Sequence, residues 1–277
     1  MDSLFYAASG PRSNDRFPFI DAHIHLDLYE EAVQHRLIKE AAELGAAALI
    51  GVSMDLASSR KNLALSEQYP GLVVPAFGYH PEQPVPSPTE TEALLSWIEE
   101  NASSMAAVGE IGLPYYSRLE AEERGEAFDL SPYIELLEQL LQLAGRLGKP
   151  VVLHAVYDDA DLVCDLLDRH GIEKAHFHWF KGPEHTVRRM AERGYFVSFT
   201  PDLLYEPEIM DLARYYPAEL VMAETDGPWP FEGPFAGQPT HPGMVREVAA
   251  AWARLHGITE EEGSRILFNN TRRFYGI

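Results

Sequence analysis

The stretch Phe19-Ile20-Asp21-Ala22-His23-Ile24-His25-Leu26-Asp27 decides how the rest of the chain is interpreted. Its first part is apolar enough for a buried strand, and His23 and His25 lie two positions apart. Alternate residues of a strand project from the same face, so we expect the two imidazoles side by side. Neutral imidazole binds a divalent metal through one nitrogen and leaves the other for a hydrogen bond. Two ordinary hydrogen-bonded histidines are the alternative, and only matching ligands elsewhere decide between the two.

Length and composition indicate a folded α/β protein. The 277 residues are 46% apolar, enough for one large domain or two small ones, and disorder is not expected. The single cysteine, Cys164, excludes an internal disulfide and a cysteine-based zinc site. It also fits a reducing compartment, so we expect a cytoplasmic protein.

The N-terminal residues 1–18 lack the basic-then-apolar pattern of a signal peptide. We interpret them as a short extension before a single domain over residues 19–277. No stretch approaches the roughly 20 apolar residues that span a bilayer, so no membrane association is expected.

The chain is strongly acidic, with 43 acidic against 22 basic residues and a formal net charge of −21. Affinity for nucleic acid comes largely from Lys and Arg on phosphates, so a broad nucleic-acid-binding face is not expected. Metal ions in a cleft could still reverse the sign of the charge locally.

Apolar, β-rich runs alternate with helical patterns along the chain. The runs cover residues 19–24, 46–53, 72–78, 106–111, 150–155, 174–180, 195–200 and 219–224. Helical patterns lie near 29–44, 56–69, 89–102, 129–148, 158–170, 183–193, 206–215, 241–256 and 259–274. Eight alternations over ~250 residues predict a (β/α)8 TIM barrel. A doubly wound sheet is the alternative, but no glycine-rich phosphate loop follows the first strand. The proline-rich residues 81–88 indicate a long loop after the third strand.

A TIM barrel carries its catalytic residues at the C-terminal ends of the strands. Six metal-capable residues fit that rule: His23 and His25 on the first strand, Glu110 on the fourth, His154 on the fifth, His178 on the sixth and Asp226 on the eighth. Each has an ordinary explanation, and Asp226 could be only a turn former. Together they indicate a metal centre, because several ionisable groups buried side by side are costly without a counter-charge.

Histidines and carboxylates without a thiolate suit zinc, manganese, iron, cobalt or magnesium at one or two centres. One arrangement divides the six between two ions: a first on His23, His25 and Asp226, and a second on His154, His178 and a bridging Glu110. Two ions would polarise the scissile group and acidify water. We expect Asp226 and Glu110 to be catalytic, with Asp226 taking a proton from the attacking water. The set predicts a hydrolase, and phosphodiester cleavage suits two-metal geometry.

The motifs around these residues resemble those of the TatD-type metal-dependent hydrolases, often called TatD deoxyribonucleases, within the amidohydrolase-like barrels. From about residue 19 to the end the matches are Asp-x-His-x-His-Leu-Asp at 21–27, Gly-x-His-Pro at 78–81, Gly-Glu-x-Gly-Leu at 109–113, Pro-Val-x-x-His at 150–154, His-x-Phe-x-Gly at 178–182, Glu-Thr-Asp-x-Pro at 224–228 and Asn-x-x-x-Phe-Tyr at 270–275. The fifth of these selects His178 over His176 as a ligand. Each motif is weak alone, but the set is highly specific.

The resemblance implies a TIM barrel, two divalent ions and 3′-to-5′ exonuclease activity on DNA or RNA. Three departures from the family pattern fall on loops beyond the strand ends: Pro114 for the usual Asp, Ala155-Val156 for Ser-Arg, and Thr240-His241-Pro242 for Asn-Glu-Pro. We therefore expect an intact metal centre and altered loops for gripping the substrate.

Candidate substrate contacts lie on the same loops. His80 and Lys181 are expected to contact a phosphate, with Arg118 as a further candidate and a plain surface lysine as the alternative for Lys181. We expect Trp179 and Trp229 to line a pocket, and most of the other rim aromatics to serve packing: Tyr79, Tyr115, Tyr116, Phe180 and Phe231.

Two classes of function remain open from the sequence. The first is a hydrolase acting on a small molecule or on the 3′ end of a single-stranded nucleic acid, with phosphodiesters as the leading substrate and amides, esters or lactones as the rival. The second is a barrel subunit that binds metal without turnover. The complete ligand set argues against the second. The oligomeric state is not predicted.

Overall fold

The computed structural model describes residues 17–277, so the predicted extension lies almost wholly outside the described residues. Eight parallel strands pair in sequence order: β1 (Phe19–Ile24), β2 (Ala46–Gly51), β3 (Val73–Phe77), β4 (Ala107–Gly112), β5 (Val151–His154), β6 (Ala175–Phe177), β7 (Phe196–Phe199) and β8 (Val221–Ala223). The helices are α1 (Glu31–Glu43), α2 (Leu56–Gln68), α3 (Pro88–Glu100), α4 (Tyr115–Glu123), α5 (Ser131–Leu147), α6 (Asp158–His170), α7 (Glu184–Glu192), α8 (Pro207–Tyr215), α9 (Val245–His256) and α10 (Glu260–Tyr275). This is the predicted (β/α)8 barrel.

The outer helices bury one apolar face each against the strands. In α5 the leucines and alanine predicted in helical register are all buried: Leu136, Leu137, Leu140, Leu141 and Ala144. The helix ends at Gly148, whose left-handed φ of 61° suits glycine. Burying a leucine side chain contributes about 1.5–3 kcal/mol. Across residues 17–277, no helix is both long and apolar enough to cross a bilayer.

Helix α4 is absent from the predicted elements. It follows Pro114, and its exposed face carries the i,i+4 pairs Arg118–Glu122 and Arg124–Glu120, at 3.8 and 3.5 Å. Only Ala121 of this helix is buried. Without an apolar stripe, α4 lacks the hydrophobic period that reveals the other helices.

The proline-rich loop after β3 is present, but it ends one residue earlier than predicted. Ser87 caps α3, its backbone N–H donating to Glu90 Oε2 at 2.8 Å in a capping box. Pro88 is the first residue of the helix, where its missing N–H costs nothing.

The first and last strands meet at the C-terminal mouth of the barrel. The Asp226 N–H donates to the His23 carbonyl at 2.9 Å, and the His25 N–H donates to the Gly227 carbonyl at 2.8 Å. The register of β1 against β2 is irregular between Asp21 and Ile24, the part of the strand that carries His23 and precedes His25. Closure of the barrel therefore occurs directly beside three candidate ligands.

The barrel interior is filled from the end opposite the mouth. Side chains from several strands form one buried cluster: Ile20, Ala22, Ala48, Ile50, Val52, Ala76, Ala107, Val152, Phe196 and Met222. Phe274 and Tyr275 of α10 complete it, and the Phe274 ring lies 5.0 Å from Phe196, the first residue of β7. The polar mouth is thus supported from below by a packed apolar layer.

Strands β4 and β5 approach closely at Gly112. This residue has φ of 157°, and a Cβ added there would lie 1.9 Å from the His154 carbonyl oxygen. Only glycine fits so close an approach. The contact fixes the separation of the strands that carry Glu110 and His154.

We expect Gly112→Ala to lower the free energy of unfolding by about 3 kcal/mol or more, because it combines steric overlap with a disfavoured backbone conformation. Denaturant unfolding of the purified variant measures this. The matched control is Gly145→Ala in α5, where the new Cβ would meet only Ile172 Cδ1 at 3.6 Å. That change should stabilise by about 0.5–1 kcal/mol. A Gly112→Ala variant as stable as the unmodified protein would contradict the proposed close approach.

Candidate metal centre and active site

The carboxylate of Glu110 lies at the centre of the barrel mouth, and histidines from three other strands face it. Its Oε2 is 3.1 Å from Nε2 of His23 and 3.1 Å from Nε2 of His25. Its Oε1 is 2.8 Å from Nε2 of His178 and 3.0 Å from Nδ1 of His154. The structure thus brings together residues that the sequence separates widely.

Asp226 completes the cluster from the end of β8. Its Oδ1 lies 3.2 Å from Nε2 of His23 and 3.5 Å from Nε2 of His25. All six sequence-predicted ligand candidates therefore share one mouth. The side chains of Glu110 and His23 are fully buried, and that of Asp226 is 11% exposed.

The cluster has the donor atoms for two cations. Among residues 17–277, four overlapping groups of three keep their ligand atoms within 4.8 Å of one another, and two of them are the groups predicted from the sequence: His23, His25 and Asp226, and Glu110, His154 and His178. The other two groups add Glu224 to His23 and His178, and His80 to His25 and Glu110. Buried atoms that lack a hydrogen-bond partner include Nε2 of His23, Oε2 of Glu110 and Oδ1 of Asp226. An unpaired buried polar atom costs about 1–3 kcal/mol. A divalent cation between these atoms would remove that cost, so the residues fit nitrogen- and oxygen-ligated metal.

The protonation preferences of the cluster also favour bound positive charge. Burial opposes ionisation of Glu110 and Asp226, but imidazoles including His178 and His23 hold the pKa of both carboxyls below the ordinary value. Burial and the neighbouring His178 disfavour protonated His23, yet Glu110 and Asp226 raise its pKa to about 9. A divalent cation can supply this positive charge in place of protons.

Glu224 lies behind His178. Its Oε1 is 3.5 Å from Nδ1 of His178 and accepts the Trp179 N–H at 2.8 Å, while Oε2 accepts the Ser198 hydroxyl at 2.6 Å. Ser198 contacts His176, which in turn hydrogen-bonds the C-terminal helix α10. His176 therefore belongs to the supporting network and His178 faces the centre, as the motif predicts.

The backbone is strained where it enters the centre. Tyr157, Trp179 and Asp226 have positive φ values of 50°, 38° and 47°. The N–H of Trp179 is held by Glu224 at 2.8 Å, and that of Tyr157 by the Lys181 carbonyl at 2.7 Å. Such conformations cost about 1–3 kcal/mol each and cluster at functional sites.

His80 lies closer to the centre than a peripheral phosphate contact requires. Its Nε2 is 3.4 Å from Glu110 Oε1, and its Nδ1 accepts the Glu82 N–H at 3.2 Å. Burial lowers the pKa of His80 to about 3, so the ring is neutral near pH 7. With Nδ1 accepting, the ring proton resides on Nε2, which points at the centre.

The two predicted rim cations are both engaged with carboxylates. Lys181 Nζ lies 3.7 Å from Oδ2 of the buried Asp202, and Arg118 Nη2 lies 2.6 Å from Oδ1 of the buried Asp159. A phosphate would therefore compete with an existing partner at either position. Sequence reasoning does not point to Asp202 or Asp159, because nothing local marks them as partners.

Aromatic side chains stand on two sides of the mouth. The Trp179 and Trp229 rings meet edge to face at 5.7 Å, with Trp229 57% exposed. The Tyr116 ring centroid is 6.0 Å from that of His154, and Tyr116 is 44% exposed, so it is not a packing residue. Phe180 and Phe231 are buried, as expected for packing.

The three departures from the family pattern fall at buried positions. Pro114 is buried at the start of α4, and Ala155 and Val156 are buried after β5. Thr240 is buried too, and its hydroxyl donates to the Trp229 carbonyl. That the loops carrying these positions grip the substrate in an altered way stays a prediction.

The sequence reasoning missed Glu82, whose Oε1 lies 3.2 Å from Nε2 of His154. The available signal is its position directly after the Gly-x-His-Pro motif at 78–81. A lone carboxylate in a proline-rich loop carries no periodicity that would single it out.

Comparison with known proteins decides the family. The sequence family described as "TatD related DNase" matches residues 20–276. The chain belongs to this family. It is 40% identical over 214 residues to an "Uncharacterized metal-dependent hydrolase" of Haemophilus influenzae, covering 77% of this chain and 82% of that protein. It is 26% identical over 264 residues to the human "Deoxyribonuclease TATDN3", covering 92% and 94%.

A solved structure supports the same assignment. The TatD homolog YjjV of Escherichia coli K12 superposes with a TM-score of 0.79 at 27% identity, over 94% of this chain and 98% of that chain. The chain is accordingly a TatD-related metal-dependent hydrolase with a (β/α)8 barrel.

We expect His25→Ala to lower the bound divalent metal from about two equivalents to about one, and Glu110→Ala to remove nearly all of it, because Glu110 faces both groups of ligands. Both variants should remain folded, since these side chains lie outside the apolar layer of the barrel. Elemental analysis and thermal unfolding, measured on the same preparations, check this. A variant that unfolds yet keeps its full metal content would count against the assignment.

Proposed function

We propose that the chain is a divalent-metal-dependent phosphodiesterase that removes nucleotides from the 3′ end of single-stranded nucleic acid. The observation that carries the proposal is the position of Glu110, whose two oxygens face two separate groups of ligands at 2.8–3.1 Å. Glu110 would help to hold two divalent ions, which, when bound, would supply the two-metal chemistry that suits in-line displacement at phosphorus. The name of the human relative, a deoxyribonuclease, supports the same substrate class.

Two side chains have the geometry for proton handling. Divalent ions, when bound, would polarise a phosphoryl oxygen and acidify water. Asp226 has a lowered pKa and is therefore ionised near pH 7, so the carboxylate oxygen that does not hold a cation can accept the proton of the attacking water. His80 carries its proton on Nε2, which faces Glu110, so it can donate a hydrogen bond to a substrate oxygen. Glu110 and Asp226 are the catalytic carboxylates of this proposal.

The rim suits a chain end better than a duplex. Exposed rings of Trp229 and Tyr116 offer faces on which an unpaired base can stack. Lys181 and Arg118 already have carboxylate partners, and the net charge of −21 disfavours a long phosphate backbone. Bound metal ions could recognise a single terminal phosphodiester without either Lys181 or Arg118.

A second candidate is hydrolysis of a small amide, ester or lactone. The pairing of Lys181 with Asp202 and of Arg118 with Asp159 favours it, because it leaves both predicted phosphate contacts engaged. The same Asp226 and bound ions would serve that reaction.

We expect the metal-supplemented protein to release nucleotides from 3′-labelled single-stranded DNA, and Asp226→Asn to lower the rate by about 10²–10⁴-fold through loss of the proton acceptor. Release of labelled nucleotide, measured beside a panel of aryl esters, amides and lactones, checks this.

The matched control is Glu99→Gln, an exposed carboxylate on α3 that should leave the rate unchanged. Turnover of esters, amides or lactones without nucleotide release would move the assignment to the second candidate. Stoichiometric metal without turnover of any substrate would instead indicate a metal-binding subunit.

A further inference from the structure

Glu82 joins the start of α4 to the barrel mouth. Its Oε1 accepts the Tyr116 N–H at 2.8 Å, and its Oε2 accepts the Ser117 N–H at 2.7 Å. These N–H groups belong to the first turn of α4, where they have no partner within the helix. The carboxylate therefore caps α4, and its negative charge is favoured by the helix dipole.

The same carboxylate contacts a candidate metal ligand. Its Oε1 lies 3.2 Å from Nε2 of His154, while Nδ1 of that ring lies 3.0 Å from Glu110 Oε1. An ionised carboxylate only accepts hydrogen bonds, so Nε2 donates its proton to Glu82. Nδ1 faces the Glu110 carboxylate, and a bound cation would take the place of a proton on that nitrogen. The ring then offers Nδ1, the atom beside Glu110, to a cation.

Glu82 also orients a second imidazole through its backbone. Its N–H donates to Nδ1 of His80 at 3.2 Å, which leaves Nε2 of His80 facing Glu110. One loop residue therefore fixes two rings on the same side of the mouth, one through its side chain and one through its main chain.

We propose that Glu82 is a positioning residue for the second ion. It holds His154 in the tautomer and orientation whose Nδ1 can bind metal, and it couples that ring to α4. This inference rests on the proposed role of His154 as a ligand. A carboxylate behind a metal-bound imidazole typically changes metal affinity by about 10–100-fold.

The two groups of ligands differ in their outer contacts, which makes the proposal specific to one ion. The outer nitrogen of His154 has a hydrogen-bond partner, Glu82 Oε1 at 3.2 Å. Nδ1 of His178 lies 3.5 Å from Glu224 Oε1 without forming a hydrogen bond, and Nδ1 of His23 and Nδ1 of His25 have no hydrogen-bond partner either. Loss of Glu82 should therefore weaken the second ion and spare the first.

Calorimetric titration of the metal-free full-length protein with Zn²⁺ tests this. We expect two equivalents to bind. Glu82→Ala should raise the dissociation constant of one equivalent by about 10–100-fold and change the other by less than about threefold. Glu82→Gln retains a carbonyl that accepts from Nε2, so its effect should be smaller than that of Glu82→Ala. Circular dichroism verifies that each variant is folded.

A spectroscopic readout separates positioning from a general loss of structure. In long-range ¹H–¹⁵N spectra of the zinc-loaded protein, we expect a slowly exchanging Nε2–H on His154 that Glu82→Ala removes. The matched control is Asp55→Ala, which takes a capping carboxylate from α2, where Asp55 Oδ1 accepts the Ser58 N–H at 2.8 Å, without touching a candidate ligand. This control should leave both zinc affinities unchanged.

The outcomes distinguish this inference from the proposed function. If the wild-type protein binds two equivalents of Zn²⁺ and Glu82→Ala changes neither dissociation constant, the role of Glu82 is overturned while the two-ion centre stands. Equal weakening of both equivalents, or equal weakening by Asp55→Ala, would also overturn it, because the effect would then be a general one. A wild-type protein that binds no second equivalent would overturn both the role of Glu82 and the two-ion centre.

Discussion

The junction of β1 with the residues after β8 is the contact on which the candidate centre depends. Two backbone hydrogen bonds join these segments at the mouth, and the Asp21 carboxylate accepts the N–H of Thr225, 204 positions along the chain, at 3.0 Å. Burial raises the pKa of Asp21 to about 8, and the hydrogen bonds from Thr225 work against that shift. If this junction opened, Asp226 would leave His23, and the first group of ligands would lose its carboxylate. Opening of this junction would therefore disrupt both the closure of the barrel and the candidate metal centre.

The charged mouth is a cost that the packed layer beneath it offsets. Glu110 is fully buried among imidazoles, and a buried ion pair usually contributes little net stability once desolvation is counted. The positive φ of Asp226 adds strain at the same place. Rings from α10 and the apolar strand residues supply the burial that holds the barrel closed from the end opposite the mouth. The apolar layer of the barrel thus stabilises the fold, while the polar cluster at the mouth is unfavourable for folding. Such a division is expected at a site that serves ligand binding.

Much of this arrangement could be predicted from sequence, because it follows from periodicity and one topological rule. Alternating patterns predicted the eight strands, and the rule that barrel chemistry lies at the strand C-termini predicted which side chains would meet. Helix α4 escaped prediction because it buries only Ala121 and so has no apolar period. Glu82 and Asp202 escaped because their partners, His154 and Lys181, lie on other loops, and no local pattern encodes a contact across the mouth.

The position of Glu82 bears on how a TatD-related barrel selects its substrate. A helix N-terminus at the mouth is a natural place for a phosphate, since its N–H groups and dipole favour an anion. In this chain the N-terminus of α4 is occupied by the chain's own carboxylate, at 2.7 and 2.8 Å from two N–H groups. Arg118, on the same helix, is paired with Asp159. An anionic substrate would therefore be met by ions bound at the centre and by stacking, and α4 would contribute the Tyr116 ring but not its N-terminal N–H groups. On this reasoning, residues at the ends of the strands determine the reaction. Substrate selectivity depends on the carboxylates of the loops and helices, Glu82 and Asp159, which already occupy the groups that could otherwise bind a phosphate.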